Sequence, residues 1–353
     1  MKTKPQAFKI LIISDAWHPQ VNGVVRTYEN LIEELLKRGH EIKVLGPNDF
    51  PRTMSTPGYS EIKLALFPYR RLKTLIQQYA PDKIHIATEG PLGWTARKYC
   101  LRHKIEFSTS FHTLFPDYIA KRAASLIPFL YNPTHTIAKN IIRRFHAPSS
   151  ALMVATQGLE NTLKQWGFST PTYRLTRGAK IATFNCGPKT KFTDLKPPVA
   201  LYVGRIAIEK NIEDFLSMPW NGEKVIIGDG PERIELEKKY PDAHFLGIKK
   251  SEDLAAYYRS ADVFVFPSRT DTFGMVLIEA LACGTPVAAY NVIGPKDIIT
   301  HDYLGILDDD LTKAALKALN IGSNKQREDH IKKYYTWALA ARQFEEAITA
   351  SAK

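Results

Sequence analysis

Residues 263–279 read VFVFPSRTDTFGMVLIE. The β-branched and aromatic run Val263 to Phe266 predicts a buried strand, ended by Pro267. A polar loop leads to Gly274, and apolar residues then continue at helical length to Ala282. Strand, loop and helix make one βα step, and the step recurs in both directions. Strand Pro286–Ala289 follows it. Before it come strand Val199–Val203, strand Lys224–Ile227, helix Pro231–Lys239, strand Ala243–Leu246 and helix Ser251–Ser260. The first half opens with strand Phe8–Ser14, helix Val24–Lys37 and strand Glu41–Leu45, with further strands near Lys83–Ala87 and Glu106–Ser110. Alternation of this kind predicts parallel sheets covered by helices. The pattern stops across the Pro- and Gly-interrupted stretch 178–198 and then restarts, and 353 residues are enough for two cores. The expected architecture is α/β, with two doubly wound, Rossmann-like parallel-sheet domains facing a cleft and ligands at the C-terminal ends of the strands.

Composition removes several classes. The apolar run Phe8 to Ile13 is short and is followed by Ser14 and Asp15, which argues against a signal peptide. No apolar stretch approaches the ~20 residues of a spanning helix. Cys100, Cys186 and Cys283 are scattered, which suits neither a disulfide framework nor a zinc site, so a reducing cytoplasm is expected. Net charge is +12, unevenly spread: residues 1–190 hold 27 Lys and Arg against 12 Asp and Glu, while residues 191–353 hold 21 against 24. A basic first half suits an anionic surface.

Cofactor signatures are also missing. Gly228-Asp229-Gly230 has Arg233 where a dinucleotide fingerprint needs its third glycine, and no P-loop string occurs. The one Asp-x-Asp string, Asp308 to Asp310, precedes the helical stretch Leu311–Leu319 and reads as a helix cap. No cofactor and no bound metal are expected.

The positive signal lies at two strand ends. Asp271 precedes a helix start whose first-turn amides, at Phe273, Gly274 and Met275, suit an anion, and Gly274 permits close approach to the backbone. Glu279, eight residues on, offers a carboxylate to vicinal hydroxyls. After strand Val199–Val203, Arg205 and Lys210 place a guanidinium fork and a point charge where a diphosphate would satisfy both.

In this combination the chain resembles the retaining GT-B glycosyltransferases of family 4 over nearly its whole length. Arg205 and Lys210 fall on the family's diphosphate-binding Arg-x4-Lys, and Asp271 to Glu279 on its Glu-x7-Glu. Asp replaces the first Glu, a departure shared with sulfoquinovosyl diacylglycerol synthases and some GDP-mannose-dependent mannosyltransferases, to which Arg269-Thr270-Asp271-Thr272 is also similar. Asn22-Gly23-Val24 resembles the glycine loop beneath the diphosphate, and Ser110-Phe111-His112-Thr113 the segment whose histidine faces the transferred sugar. Gly228-Asp229-Gly230-Pro231 is similar to the glycine-proline turn, and Leu246-Gly247-Ile248 to the segment whose backbone reads the nucleobase. The end of the chain resembles the helix that crosses back to the first domain.

The resemblance implies an N-terminal acceptor-side domain, 1–178 with 336–353, and a nucleotide-sugar-binding domain, 179–335. It implies donor binding by Gly23, Arg205, Lys210, Gly230, Ile248, Asp271, Thr272, Phe273, Gly274, Met275 and Glu279, with catalytic roles for His112, Arg205, Lys210 and Asp271. His18, Glu89, Asp117 and Tyr118, in loops at strand ends of the first domain, are acceptor-side candidates. The implied reaction moves a hexose from GDP-mannose or a UDP-sugar to a hydroxyl of a lipid or lipid-linked acceptor, with retention. The basic segment Tyr118 to His146 and the cluster Arg70, Arg71 and Lys73 predict docking on an anionic membrane from the cytoplasmic side; no nucleic acid is expected. A sugar-nucleotide 2-epimerase of the same fold and a transferase with a soluble sugar acceptor are the alternatives.

Overall fold

A computed structural model of the chain describes residues 6–20, 22–56, 59–112 and 131–350, in two compact units: Met1–Thr176 with Trp337–Lys353, and Arg177–Thr336. The candidates Asp117 and Tyr118, with Lys121 and Arg122, lie outside the described residues.

The first unit runs β1 (Lys9–Ile13), α1 (Gly23–Lys37), β2 (Glu41–Leu45), a ribbon of β3 (Thr53–Thr56) and β4 (Tyr59–Ala65), α2 (Tyr69–Tyr79), β5 (Lys83–Ile86), α3 (Pro91–His103), β6 (Phe107–Phe111), α4 (Tyr131–His146), β7 (Ala151–Val154), α5 (Gln157–Gln165) and β8 (Thr172–Arg174). Its sheet has the order β2-β1-β5-β6-β7-β8 and is parallel throughout. Ile10 to Ile13 are fully buried because helices cover both faces, which is why β1 reads as an unbroken apolar run. Helix α1 starts at Asn22, whose side chain accepts from the amides of Val24 and Val25, and buries Val25, Tyr28, Leu31 and Leu35 along one stripe.

The second unit runs β9 (Val199–Val203), α6 (Ile212–Ser217), β10 (Glu223–Ile227), α7 (Arg233–Lys239), β11 (His244–Phe245), α8 (Ser251–Ser260), β12 (Val263–Phe266), α9 (Met275–Ala282), β13 (Val287–Ala289), α10 (Pro295–Ile298), β14 (Gly305–Leu307), α11 (Leu311–Ala318) and α12 (Asn324–Tyr334). Its sheet order is β11-β10-β9-β12-β13-β14, again parallel. Asp310 caps α11 by accepting from the amide of Lys313, while Asp308 pairs with Lys313 and Lys317. In each sheet the chain first builds outward from one strand and then returns to its other side. The resulting switch points lie between β1 and β5 and between β9 and β12, where doubly wound sheets bind ligands.

The last helix, α13 (Trp337–Thr349), belongs to the first unit. Phe344 stands edge-on to the ring of His85 at 5.0 Å, and Gln343 accepts from the amide of Thr176 at 2.8 Å. Glu345 accepts from Arg38 through both oxygens at 2.6 Å and bonds His40 at 2.7 Å. Burial works to raise the Glu345 carboxyl, but the bonds from Arg38 and His40 outweigh it and hold it below its ordinary value. A depressed carboxyl stabilises the fold above its unfolded pKa, and that contribution is lost as pH falls through the folded one. The bidentate contact is worth about 2 kcal/mol. Glu345→Gln is therefore expected to lower the melting temperature of this unit by roughly 4 to 8 °C at pH 7, with the gap to the unsubstituted protein closing in scans taken below pH 4. A gap of unchanged size at pH 3.5 would contradict the electrostatic account.

Candidate active site

The two loops flanking the β9/β12 switch point carry the residues singled out in the sequence. The first leaves β9 at Gly204, passes Arg205, and forms a 3-10 turn over Ile208–Lys210. Arg205 is exposed, and its carbonyl accepts from the buried Tyr202 hydroxyl at 2.9 Å. The second leaves β12 at Pro267 and reaches α9 through Gly274, whose φ of 86° is left-handed and which supplies no side-chain cap. Lys210 Nζ donates to both oxygens of Asp271, at 2.7 and 2.8 Å, with each side chain about a quarter exposed. Thr270 Oγ1 adds a weaker tie to the carbonyl of Glu209 at 3.4 Å. The ammonium carries three N–H groups, so Lys210 keeps donor capacity beyond this carboxylate.

Backbone packing shapes both loops. Gly230 fits against the Arg205 loop so closely that a Cβ would stand 2.1 Å from the carbonyl oxygen of Ile206. That loop is stitched to its neighbour by bonds from the Ile206 amide to Asp229 and from the Glu232 amide to Ile206. Gly230 thus supports the Arg205 loop from behind. Gly294, with φ of 94°, backs the second loop, where a Cβ would stand 2.4 Å from the carbonyl oxygen of Asp271.

The remaining second-unit candidates divide by burial. Phe273 is buried against Tyr335, and Thr272 and Met275 flank it and Gly274 at the start of α9. Ile248 follows Gly247 after β11 and is 77% exposed. Glu279 departs from a solvated helix position: only 9% exposed, it accepts from the fully buried Tyr258 hydroxyl at 3.3 Å.

In the first unit, Gly23 opens α1 beside the β1 strand end, and a Cβ there would meet nothing within 4 Å, so packing does not demand glycine. His112, at the end of β6, sits in a bonded chain. The Tyr28 hydroxyl lies 3.1 Å from His112 Nε2 and 2.7 Å from His85 Nε2, and donates to Ser110 at 3.0 Å. Burial drives the His85 pKa down to about 3, so that imidazole stays neutral and relays hydrogen bonds only. Glu89 is drawn inward to His146 Nε2 at 3.1 Å, both side chains buried, whereas His18 meets Glu29 at 2.8 Å on the surface.

Sequence reading missed Asp15. Its carboxylate accepts from the amides of Leu92 and Gly93 at the start of α3 and from Thr88, and burial pushes its pKa up to about 6 despite those bonds. It anchors the loop that carries Glu89. Among the described residues, no three His, Cys, Asp or Glu side chains gather as metal ligands do.

Comparisons with known proteins agree with this layout. Residues 21–179 match the model described as Glycosyltransferase Family 4, and residues 188–336 the model described as Glycosyl transferases group 1. The chain is 28% identical to a GDP-mannose-dependent alpha-mannosyltransferase of Mycobacterium tuberculosis, over 85% of this chain and 83% of that protein. It is 30% identical to the sulfoquinovosyl transferase of Arabidopsis thaliana over 80% of this chain and 55% of the relative, and 26% identical to the alpha-monoglucosyldiacylglycerol synthase of Streptococcus pneumoniae over 88% and 78%. Among solved structures, a sucrose-phosphate synthase from Thermosynechococcus elongatus shares the fold with a TM-score of 0.73 at 20% identity, over 96% of this chain and 98% of that one. The two parallel-sheet units define a GT-B glycosyltransferase. The chain belongs to the glycosyltransferases built from a family 4 domain followed by a group 1 domain.

If Gly294 holds Asp271 in place, Gly294→Ala forces a left-handed alanine into the Asp271 carbonyl. Turnover should fall at least tenfold while the melting temperature drops by only a few degrees, since the strain is local. Full activity in a folded Gly294→Ala protein would show that the Asp271 loop tolerates displacement.

Proposed function

We propose that this glycosyltransferase moves a hexose from a nucleotide-diphosphate sugar, GDP-mannose or a UDP-sugar, to a hydroxyl of a lipid or lipid-linked acceptor, with retention and without a bound metal. The observation that carries the reading is the Lys210–Asp271 pair at the β9/β12 switch point, beside the loop of Arg205. In this reading the acceptor oxygen attacks the anomeric carbon on the face that the nucleotide leaves. A new C–O bond replaces the bond to phosphate, and an oxygen of the departing diphosphate takes the acceptor's proton. Negative charge grows on that diphosphate, and Arg205, Lys210 and the first-turn amides of α9 oppose it. Asp271 holds hydroxyls of the transferred sugar and Glu279 the ribose.

Arg205→Ala and Lys210→Ala should each lower kcat by about 10²- to 10³-fold with little change in melting temperature. The assay supplies GDP-mannose or UDP-glucose with diacylglycerol in mixed vesicles and is repeated in excess chelator, where activity should persist. Activity within about threefold of the unsubstituted protein, or loss on chelation with rescue by Mg²⁺, would overturn the respective assignment. Donor incubated alone should stay intact; its interconversion would mark an epimerase.

The lipid acceptor draws on two relatives named alpha-monoglucosyldiacylglycerol synthase, from Streptococcus pneumoniae and Acholeplasma laidlawii, and on α4. Ile142 of that helix is buried core, but Ile137 and Ile141, one turn apart, are 61% and 48% exposed. Arg143 and Arg144 at its end line a cavity of about 480 Å³ with Asn140, Ser169 and Thr170, and among the described residues no carboxylate borders it. Exposed apolar side chains beside such cations suit an anionic headgroup plane. Co-sedimentation with phosphatidylglycerol vesicles should be strong at low salt, weak at high salt, and reduced at least fivefold by joint Ile141→Ser and Arg144→Ala substitution. Equal binding to neutral vesicles, or efficient glycosylation of a water-soluble acceptor without vesicle binding, would refute it.

A further inference from the structure

Asp214 lies in the first turn of α6. Its Oδ2 atom accepts from Asn211 Nδ2 at 2.5 Å and from the Tyr290 hydroxyl at 2.5 Å, and Arg269 Nη2 stands 3.6 Å away. The guanidinium carbon of Arg269 stands over the Tyr290 ring, 3.5 Å from its centre. Asn211 Nδ2 also reaches the carbonyl of Pro267 at 3.3 Å. One carboxylate oxygen therefore gathers three segments: the turn after β9, the loop after β12, and Tyr290 just after β13. These strands are neighbours in the sheet.

The gathered segments carry the candidate donor machinery. Asn211 directly follows Lys210 and adopts a left-handed φ of 53°, which sets the direction in which the Lys210 turn leaves the sheet. Pro267 and Arg269 precede Asp271 in its loop. We infer that Asp214 is a positioning residue for the diphosphate contact, registering the Lys210 turn against the Asp271 loop through Asn211, Tyr290 and Arg269. The inference rests on the reading of Lys210 as a diphosphate ligand. The Tyr290 hydroxyl, pushed up to about 12 by burial and by its bond to Asp214, stays a donor throughout the neutral range. The chemistry at Asp214 Oδ2 is that of a fixed acceptor, so asparagine, which keeps a carbonyl oxygen at the same place, should replace it.

The test compares binding of nucleoside diphosphate and monophosphate by calorimetry, using GDP with GMP and UDP with UMP, on the full chain. The affinity ratio within a pair reads contact with the terminal phosphate and cancels a general loss of stability or of base recognition. Lys210→Ala should reduce the diphosphate preference about tenfold. Asp214→Ala should reduce it comparably, Asp214→Asn should restore it to within threefold, and the double variant Lys210→Ala with Asp214→Ala should lose no more than Lys210→Ala alone. Should Asp214→Ala fail to fold, Tyr290→Phe, which removes one of the two short bonds, should still lower the ratio about threefold. An unchanged ratio in Asp214→Ala or Tyr290→Phe, alongside a reduced one in Lys210→Ala, overturns the role of Asp214 and leaves Lys210 intact. An unchanged ratio in Lys210→Ala, or binding of neither nucleotide pair, overturns the diphosphate reading and this inference with it.

Discussion

The short contact between Lys210 and Asp271 makes the second unit's strand ends one site instead of two adjacent loops. Two long-range demands meet in it. Lys210 sits on a chain that has just left β9 and must turn away into α6, whereas Asp271 belongs to a loop that returns from β12, 61 residues later. Only a switch point brings such strands side by side with their C-terminal ends open, because elsewhere in a doubly wound sheet a crossover helix covers the gap. Topology thus supplies the proximity, and side chains supply the registration: Thr270 on Glu209, Gly294 behind Asp271, and Asp214 beneath both. A lone ion pair at this exposure contributes little to stability. Its value is geometric, holding a cation and an acceptor a fixed distance apart.

Much of this was legible in the residues themselves. Val263 to Phe266 was read as a strand and the helix that follows was placed over Gly274 to Ala282; the structure begins it at Met275, one residue later. The helix read over Pro231 to Lys239 starts at Arg233, because Asp229 and Glu232 are bonded to the Ile206 backbone of the Arg205 loop and Gly230 packs against it. Strands such as β8, with three half-buried residues, are too short to display a period. The β3–β4 ribbon lies outside the parallel sheet and escapes a reading tuned to βα alternation.

Asp15, Tyr28 and Asp214 were illegible for a different reason. Each is an ordinary residue type at an ordinary position, and its role exists only through a partner far away: Asp15 caps a helix 77 residues on, Tyr28 bonds His85 at a separation of 57, and Asp214 meets Tyr290 at 76. Local pattern detects periodicity and turns; it does not detect a cap supplied from another strand. Glu279 is the intermediate case. Its spacing from Asp271 was readable, but its burial against Tyr258 follows from the packing of α9 on α8.

The two units treat polar groups at strand ends in opposite ways, and the contrast bears on what each can recognise. In the first, the side chains of Asp15, His85, Ser110, Glu89 and His146 are buried and bonded within the unit, Asp15 to the amides of Leu92 and Gly93, His85 to Ser110 and Glu89 to His146, so their hydrogen bonds fix loop geometry. An unmade bond at any of them would cost about 1 to 3 kcal/mol, which ties that framework to a single arrangement. In the second, Arg205, Lys210, Arg269 and Asp271 stay partly exposed, and rigidity comes from behind, through glycine contacts and the Asp214 brace. Groups that are fixed yet still wet keep donors and acceptors available to a ligand without reorganising, which is the condition for preorganised electrostatic stabilisation. The exposed isoleucines and arginines of α4, by contrast, are not consumed by the core of that unit.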